Sequence, residues 1–480
     1  NGVALRQVRV QGTSLPSSTF DAATQRFIGQ AITPETLREL ANVVAATYKQ
    51  SDIAYYSVMI PPQTLDSGVL TVRVVEGFVK TYAMGGVTVS TPTRLIEAHI
   101  ARIMKSTPLR KSVLERSLSL IRDIPGETVD ASVRQLDATG ALALDLKVHR
   151  KQVEIKLKID NDGISNITRS FQAQVGVTVN GLVREGDRTT VTGYLPLHPD
   201  RYQFYSISHT TPIGTNGLTL TANASTVSTQ SNGIKGEATL AGITLNYPLI
   251  RSYRKNLSIT ASLDGINSTN YYLDTAFGDY RSRTVRGGLT WSKATDKQGY
   301  AIALVGSQGL DALGARAFTG YSDSTFSKVN LQIVKVNTIG KNLSIKSTTY
   351  GQYSRDKLPV TERMALGGRG TGRAFNAGAV TGERGVAGQI ELDWKLPRAS
   401  PLLKGTSLFS FVDGGTTRSL ARPAFSLRAR NLSLASVGAG IRLVLLQKWR
   451  ASIEAALPIK RPYPGYSRSA RVFVGFGRAI

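Results

Sequence analysis

The chain of 480 residues has no cysteine, which excludes disulfides and cysteine-ligated metal and suits an exported protein better than a cytosolic one. It has no run of about 18 apolar residues, so no transmembrane helix is expected. Its first residues, Asn1-Gly2-Val3-Ala4, lack both a basic start and a long apolar stretch, so any leader is expected to have been removed ahead of them. Histidine is scarce: His99, His149, His198 and His209 stand singly, without metal-ligand spacing. No Gly-x-x-x-x-Gly-Lys-Ser/Thr run exists, so no ATP site is expected. No Ser/His/Asp or metal constellation lines up, so neither an enzyme nor a cofactor is expected. Acidic residues are outnumbered, 33 against 59 Lys and Arg, for a net charge of +26. Such a surplus attracts nucleic acid, lipid phosphates or acidic polypeptide. The basic residues form no block, however. They sit singly between apolar positions, as Lys156 and Lys158 do, which speaks against nucleic acid. A basic barrel in an anionic lipid leaf, with a basic lumen, accounts for the charge better.

Length alone allows roughly two to four domains. The character of the chain changes near residue 150. Thr33-Pro34-Glu35 reads as a helix start: a capping hydroxyl, proline at the first helical position, then an acid in the first turn. Leu37, Leu40, Ala41, Val44 and Tyr48 then form one apolar stripe. Strands are expected over Tyr55–Ile60 and Val69–Val75. A second, looser copy is expected to start at Gly86-Val87-Thr88-Val89. Its helices would run over Thr93–Met104 and Lys111–Arg122, with a turn at Pro125-Gly126 and a strand over Ala141–His149. The first 150 residues therefore read as two α+β units of about 75 residues each, 1–81 and 82–150.

From residue 151 the helical pattern stops. Val153, Ile155, Leu157 and Ile159 alternate with Gln152, Glu154, Lys156 and Lys158, a strand with one oily and one wet face. Leu218–Ser225, Leu257–Ser262 and Leu343–Thr348 repeat the pattern, separated by Gly-, Asn-, Asp- and Ser-rich turns. Such strands over 151–480, each about 10 residues long, suit an all-β transmembrane barrel of about 16 antiparallel strands. A soluble β-sandwich array or β-helix is the alternative. Aromatic residues near strand ends, polar inner faces and the absence of a repeat period weigh against it.

At residues 48–77 the sequence becomes recognisable. Tyr48-Lys49-Gln50, then Val58-Met59-Ile60-Pro61-Pro62-Gln63, then Gly68 to Glu76-Gly77, resembles the first POTRA domain of two-partner secretion transporters (TpsB proteins, the haemolysin- and adhesin-exporting outer-membrane family). Ser51-Asp52-Ile53 stands where that family has a Gly-Tyr pair. Pro108-Leu109, Leu114-Glu115-Arg116 and Asp123-Ile124-Pro125-Gly126 resemble the second POTRA domain. Asp160-Asn161-Asp162-Gly163, Gly186-Asp187, Tyr247 to Arg251, Gln308-Gly309-Leu310 and Leu358-Pro359 extend the likeness through the barrel. Gly367-Gly368-Arg369-Gly370-Thr371-Gly372-Arg373-Ala374-Phe375 is similar to the extracellular loop that folds back into the barrel, here about 364–386. The family tip reads Arg-Gly-Tyr or Arg-Gly-Phe; here Ala374 replaces the glycine, which would strain a positive φ. The resemblance pairs the tip arginine, Arg373, with Asp413 in Phe409 to Gly415, beside Phe375. A bidentate guanidinium–carboxylate pair would fix both charge and orientation. The family's terminal strand usually ends in an aromatic residue; here it ends in Ile480, with Phe476 four residues earlier. Many relatives carry a pore-plugging helix ahead of the first POTRA strand, whereas the sequence here starts almost directly at that strand, Leu5–Val10.

The resemblance implies a Gram-negative outer-membrane pore with periplasmic POTRA domains. These would bind an unfolded secreted adhesin, cytolysin or toxin, with Tyr48, Pro61, Pro62, Gln63, Glu76 and Gly77 as recognition candidates. Outer-membrane lipid, lipopolysaccharide and, during biogenesis, the barrel-assembly machinery are the other implied partners. A barrel-assembly insertase is the first alternative; it usually carries more POTRA units, and Pro61-Pro62-Gln63 speaks against it. A passive porin or receptor is the second.

Overall fold

A computed structural model describes residues 3–86, 92–163, 171–272, 275–397, 404–446 and 448–479. The chain divides into two units, residues 1–151 with 251–253, and the remainder.

In the first unit, β1 (Gln7–Gln11), α1 (Ser18–Thr24), α2 (Pro34–Gln50), β2 (Tyr56–Met59) and β3 (Val69–Glu76) form one module. Thr33 starts α2 by accepting the Thr36 N–H at 3.2 Å. The stripe Leu40, Val44 and Tyr48 then buries against Leu70, Val72 and Val74 of β3. β3 is central, with β1 parallel on one side and β2 antiparallel on the other. The second module repeats the plan with β4 (Phe78–Gly85), α3 (Arg94–Lys105), α4 (Lys111–Arg122), β5 (Glu127–Gln135) and β6 (Ala141–Arg150), in sheet order β4-β6-β5. Ile96, Ile100, Ile103, Leu118 and Ile121 pack on Leu142, Leu144, Leu146 and Val148. Strand β4 escaped the sequence reading because it follows β3 with only Gly77 between them. The anticipated start at Val87-Thr88-Val89 lies outside the described residues. The modules are stitched together by backbone bonds, Ala54 N to Leu109 O and Leu109 N to Gly77 O, each 2.8 Å, and by Asp52, which accepts from the Ser112 N–H and hydroxyl.

The second unit is a closed barrel of 16 strands. In chain order they are β7 (Val153–Asp160), β8 (Gln172–Asn180), β9 (Arg188–Pro196), β10 (Tyr202–Ile213), β11 (Leu218–Ser231), β12 (Ile234–Arg251), β13 (Lys255–Tyr272), β14 (Thr275–Ala294), β15 (Gln298–Gly309), β16 (Ser327–Ile339) and β17 (Leu343–Ser354). A two-stranded hairpin intervenes, β18 (Met364–Leu366) and β19 (Val380–Gly382). Then come β20 (Arg384–Lys395), β21 (Ser407–Ser419), β22 (Arg430–Leu445), β23 (Trp449–Lys460) and β24 (Arg471–Ala479). Neighbours pair antiparallel, and β24 closes on β7. The Asn161 side chain lengthens that seam, donating to Val472 O at 2.9 Å and accepting the Val474 N–H at 2.8 Å. Strands β10 to β14 run 12 to 20 residues, longer than the sequence suggested, so they outreach a bilayer.

Period-two alternation turns Ile159, Val191, Ile207, Leu289, Ile390 and Ile453 outward, where each is exposed by about half, while polar partners face the lumen. Trp449 and Phe476 stack at 4.9 Å on the rim where β7 begins, called here the near end. Near-end turns are mostly short. Asp187 anchors one of them, accepting the N–H groups of Leu182, Val183 and Arg184, each at 2.8 Å. The long connections 310–326, 355–383, 420–429 and 461–470 lie at the opposite, far end.

Candidate functional site: a loop pinned inside the barrel

The connection 355–383 between β17 and β20 turns back into the lumen, and residues 384–386 of the anticipated loop belong to β20. Its hairpin and tip form an apolar plug in which Met364, Leu366, Ala374, Phe375 and Val380 pack on the inward residues Ala387, Phe409, Phe411, Leu434 and Ala456. The tip is built on glycine. Gly367, Gly368 and Gly372 have φ of +104°, +82° and +142°, a region that disfavours any Cβ. A Cβ on Gly372 would also lie 2.5 Å from Leu434 Cδ1, and one on Gly367 would collide with the Asn376 carbonyl. Gly368 N donates to Phe375 O at 3.0 Å, and Phe375 N to Gly372 O at 2.9 Å. Phe375 is fully buried, with its ring 5.3 Å from that of Tyr466, whose hydroxyl accepts the Asn376 N–H at 3.1 Å. Ala374 has no positive φ and its N–H faces Ser436 Oγ, so the expected strain is absent.

The tip guanidinium is shared differently from a simple Arg–Asp pair. Arg373 Nη2 donates to Glu391 at 2.8 Å and reaches Gln389 at 3.3 Å. Its Nη1 donates to Glu454 at 3.3 Å, while Nε stands 3.6 Å from Asp413. Asp413 instead receives the Arg373 backbone N–H at 3.2 Å and the Ser436 hydroxyl. The pairing is therefore not bidentate to Asp413; three carboxylates on β20, β21 and β23 surround one cation. The cation also lies 3.9 Å from the centre of the Phe411 ring, while Arg442 bridges Glu391 and Asp393, each at 2.8 Å, over Phe409. Arg369 pairs with Asp162 after β7 and lies over Phe473.

Two anchors were not apparent in the sequence. Glu362, in the stem leading into the loop, is 2% exposed and pairs with Arg286 of β14 and Lys328 of β16, each at 2.7 Å. Glu383, in the stem leading out, is fully buried. The Gln352 amide donates to the backbone carbonyls of both, at 3.0 and 3.2 Å. The only hint in sequence was their place on either side of the glycine-rich motif.

Of the six recognition candidates in the first unit, Tyr48 and Gly77 are buried, Pro61, Gln63 and Glu76 are half-buried, and Pro62 is exposed. Tyr48 is fully buried, and its hydroxyl donates to Glu76 at 2.7 Å while also hydrogen-bonding the Thr13 hydroxyl. Burial is the main reason its phenol is raised above the usual range. Glu76 also receives the Ser14 N–H. The Gln63 amide is occupied by the backbone of Thr71, accepting its N–H and donating to its carbonyl, both at 2.8 Å. Gly77 is wedged between Tyr55 and Leu142. Of the set, only Pro62 is well exposed.

A closed 16-strand barrel with an inward loop, preceded in sequence by two like α+β modules, is the architecture of a POTRA-plus-barrel outer-membrane protein. The chain belongs to the haemolysin secretion/activation protein family ShlB/FhaC/HecB, whose model matches residues 141–443, preceded by a ShlB-type POTRA domain at residues 3–77. It is similar to the heme/hemopexin transporter protein HuxB of Haemophilus influenzae, 22% identical over 457 residues, 91% of this chain and 79% of that protein. It is also similar to the outer membrane transporter CdiB of Dickeya dadantii, 26% identical over 176 residues, 35% and 30% of the two chains. Among solved structures, CdiB from Escherichia coli superposes with a TM-score of 0.82 at 19% identity, over 100% of this chain and 91% of that one. BamA from Haemophilus ducreyi lacking POTRA domains 1-3 shares the fold less closely, with a TM-score of 0.58 at 14% identity over the whole of both chains. The protein is thus a two-partner secretion transporter of the outer membrane.

Proposed function

We propose that the two modules of the first unit stand in the periplasm and receive one secreted protein in an unfolded state, which the barrel then exports without catalysing any reaction. The near end of the barrel faces the periplasm and the far end the outside. Partner strands add to the sheet edges at β1, β2, β4 or β5, whose backbone groups on one side have no strand neighbour among the described residues. Gln63 occupies the edge of β3 beyond β2, so recognition falls on those outer strands and not on the buried Tyr48 and Gly77 or on Glu76, whose carboxylate is taken up by Tyr48 and Ser14. The observation that carries this reading is the buried Arg373, held by Glu391, Glu454 and Asp413, because it fixes a movable loop within a conduit. Direction comes from folding of the partner outside. Lipid and lipopolysaccharide bind the outer band, and the barrel-assembly machinery inserts it.

Co-expression with the protein encoded beside it, and assay of the medium, tests the proposal. Export that needs the intact first unit and Arg373 supports it. A partner retained in the periplasm by a correctly inserted barrel, together with misassembly of other barrels in its absence, would favour an insertase instead.

A further inference from the structure

We propose that Glu383 is the node that closes the far end of the pore, apart from the Arg373 tip. Two far-end connections meet on this one carboxylate, and a third reaches the two arginines that hold it. Arg363, in 355–383, approaches it with Nε at 3.1 Å, and Arg422, in 420–429, donates Nη2 at 2.6 Å. Its second oxygen takes the Leu420 N–H at 2.8 Å. The third connection, 310–326, enters through Tyr321. The Tyr321 carbonyl accepts from Arg422 Nε at 2.7 Å, its hydroxyl accepts from Arg363 at 3.3 Å, and its ring lies under both guanidiniums, at 4.9 and 4.6 Å. Tyr321 in turn packs edge-on against Phe318 and Phe425. Glu383 is fully buried and Arg422 2% exposed, so the pair is shielded from salt and water.

Two buried cations held by one buried anion make an all-or-none arrangement: without the carboxylate, both arginines are left uncompensated and must move toward solvent. Because they sit on different connections, that movement parts the loops. The tip is held by other carboxylates on β20, β21 and β23, so the cap can open while the tip stays docked. Glu383 and Arg422 are therefore positioning residues of a gate.

The test is conductance of the purified full-length protein in planar bilayers of phosphatidylethanolamine and phosphatidylglycerol, with no partner present. Its outcome is therefore independent of whether export occurs. Glu383→Gln and Arg422→Met should each raise the time spent conducting by about 10-fold, and the double variant should add little, since both break one node. Barrel integrity is read from heat-modifiable migration in gels. A merely structural role would lower insertion without adding conductance. Folded variants that conduct as the parent does overturn the proposal. If Glu383→Gln does not insert, Arg422→Lys decides by the same readout: it keeps the charge but loses the fork that joins Glu383 to the Tyr321 carbonyl.

Discussion

Arg373→Ala should release the loop tip and leave the barrel standing. The side chain is 7% exposed and touches three carboxylates. After truncation Glu391 keeps Arg442, and Asp413 keeps the Ser436 hydroxyl and a backbone N–H. Glu454 keeps no ion pair among the described residues, and its other oxygen already lacks a hydrogen bond. An uncompensated buried charge costs about 3–5 kcal/mol, and the lost stacking on Phe411 adds about 1 kcal/mol or more. A net loss of about 4 kcal/mol shifts the docked-to-released ratio roughly 1,000-fold. Because the chain has no cysteine, a single Gly370→Cys reports the shift; a side chain there meets nothing within 4 Å. Labelling by an impermeant maleimide should accelerate strongly in the Arg373→Ala background, and secretion should fall. Adding Glu454→Gln should recover part of the docking, because the orphaned charge is the main penalty. Unchanged labelling and normal secretion by an inserted Arg373→Ala barrel would refute this account.

Gly372→Ala should undock the tip by roughly 3 kcal/mol, from the disfavoured φ and the contact with Leu434, and should show in the same labelling assay. His99 is buried beside Arg102 and Arg116; burial first, then those cations, lowers its imidazole from 6.5 to about 4. The unfolded chain takes up that proton below about pH 6.5 and the folded head does not. Head stability should therefore be full above that pH and fall toward pH 4, by at most about 3 kcal/mol. Limited proteolysis across pH should show the slope, and His99→Gln should flatten it. Gln63→Ala should free both backbone groups of Thr71, losing about 1–2 kcal/mol and speeding hydrogen exchange at that amide at least several-fold.

Alternation of apolar and polar residues by itself determined the strands from residue 151 on and the two faces of each, because a strand with one oily and one wet side must repeat every two residues. The stripe Leu40, Val44 and Tyr48 likewise determined α2, while the inward turn of the loop was legible only through the resemblance of Gly367 to Phe375 to the family motif. Strand β4 was hidden because nothing local separates it from β3. The ion pairs were beyond the sequence for a different reason. Glu391 and Glu454 read as ordinary polar positions on two strands, and Glu454 lies 81 residues from Arg373. Glu362 lies 76 residues from Arg286. Only closure of the barrel in one register carries such groups to the same depth in the lumen, and there burial makes each charge depend on its partner. Local pattern thus determined which face each residue takes, and tertiary structure decided which charge meets which, since charge pairing depends on distances that local period does not encode.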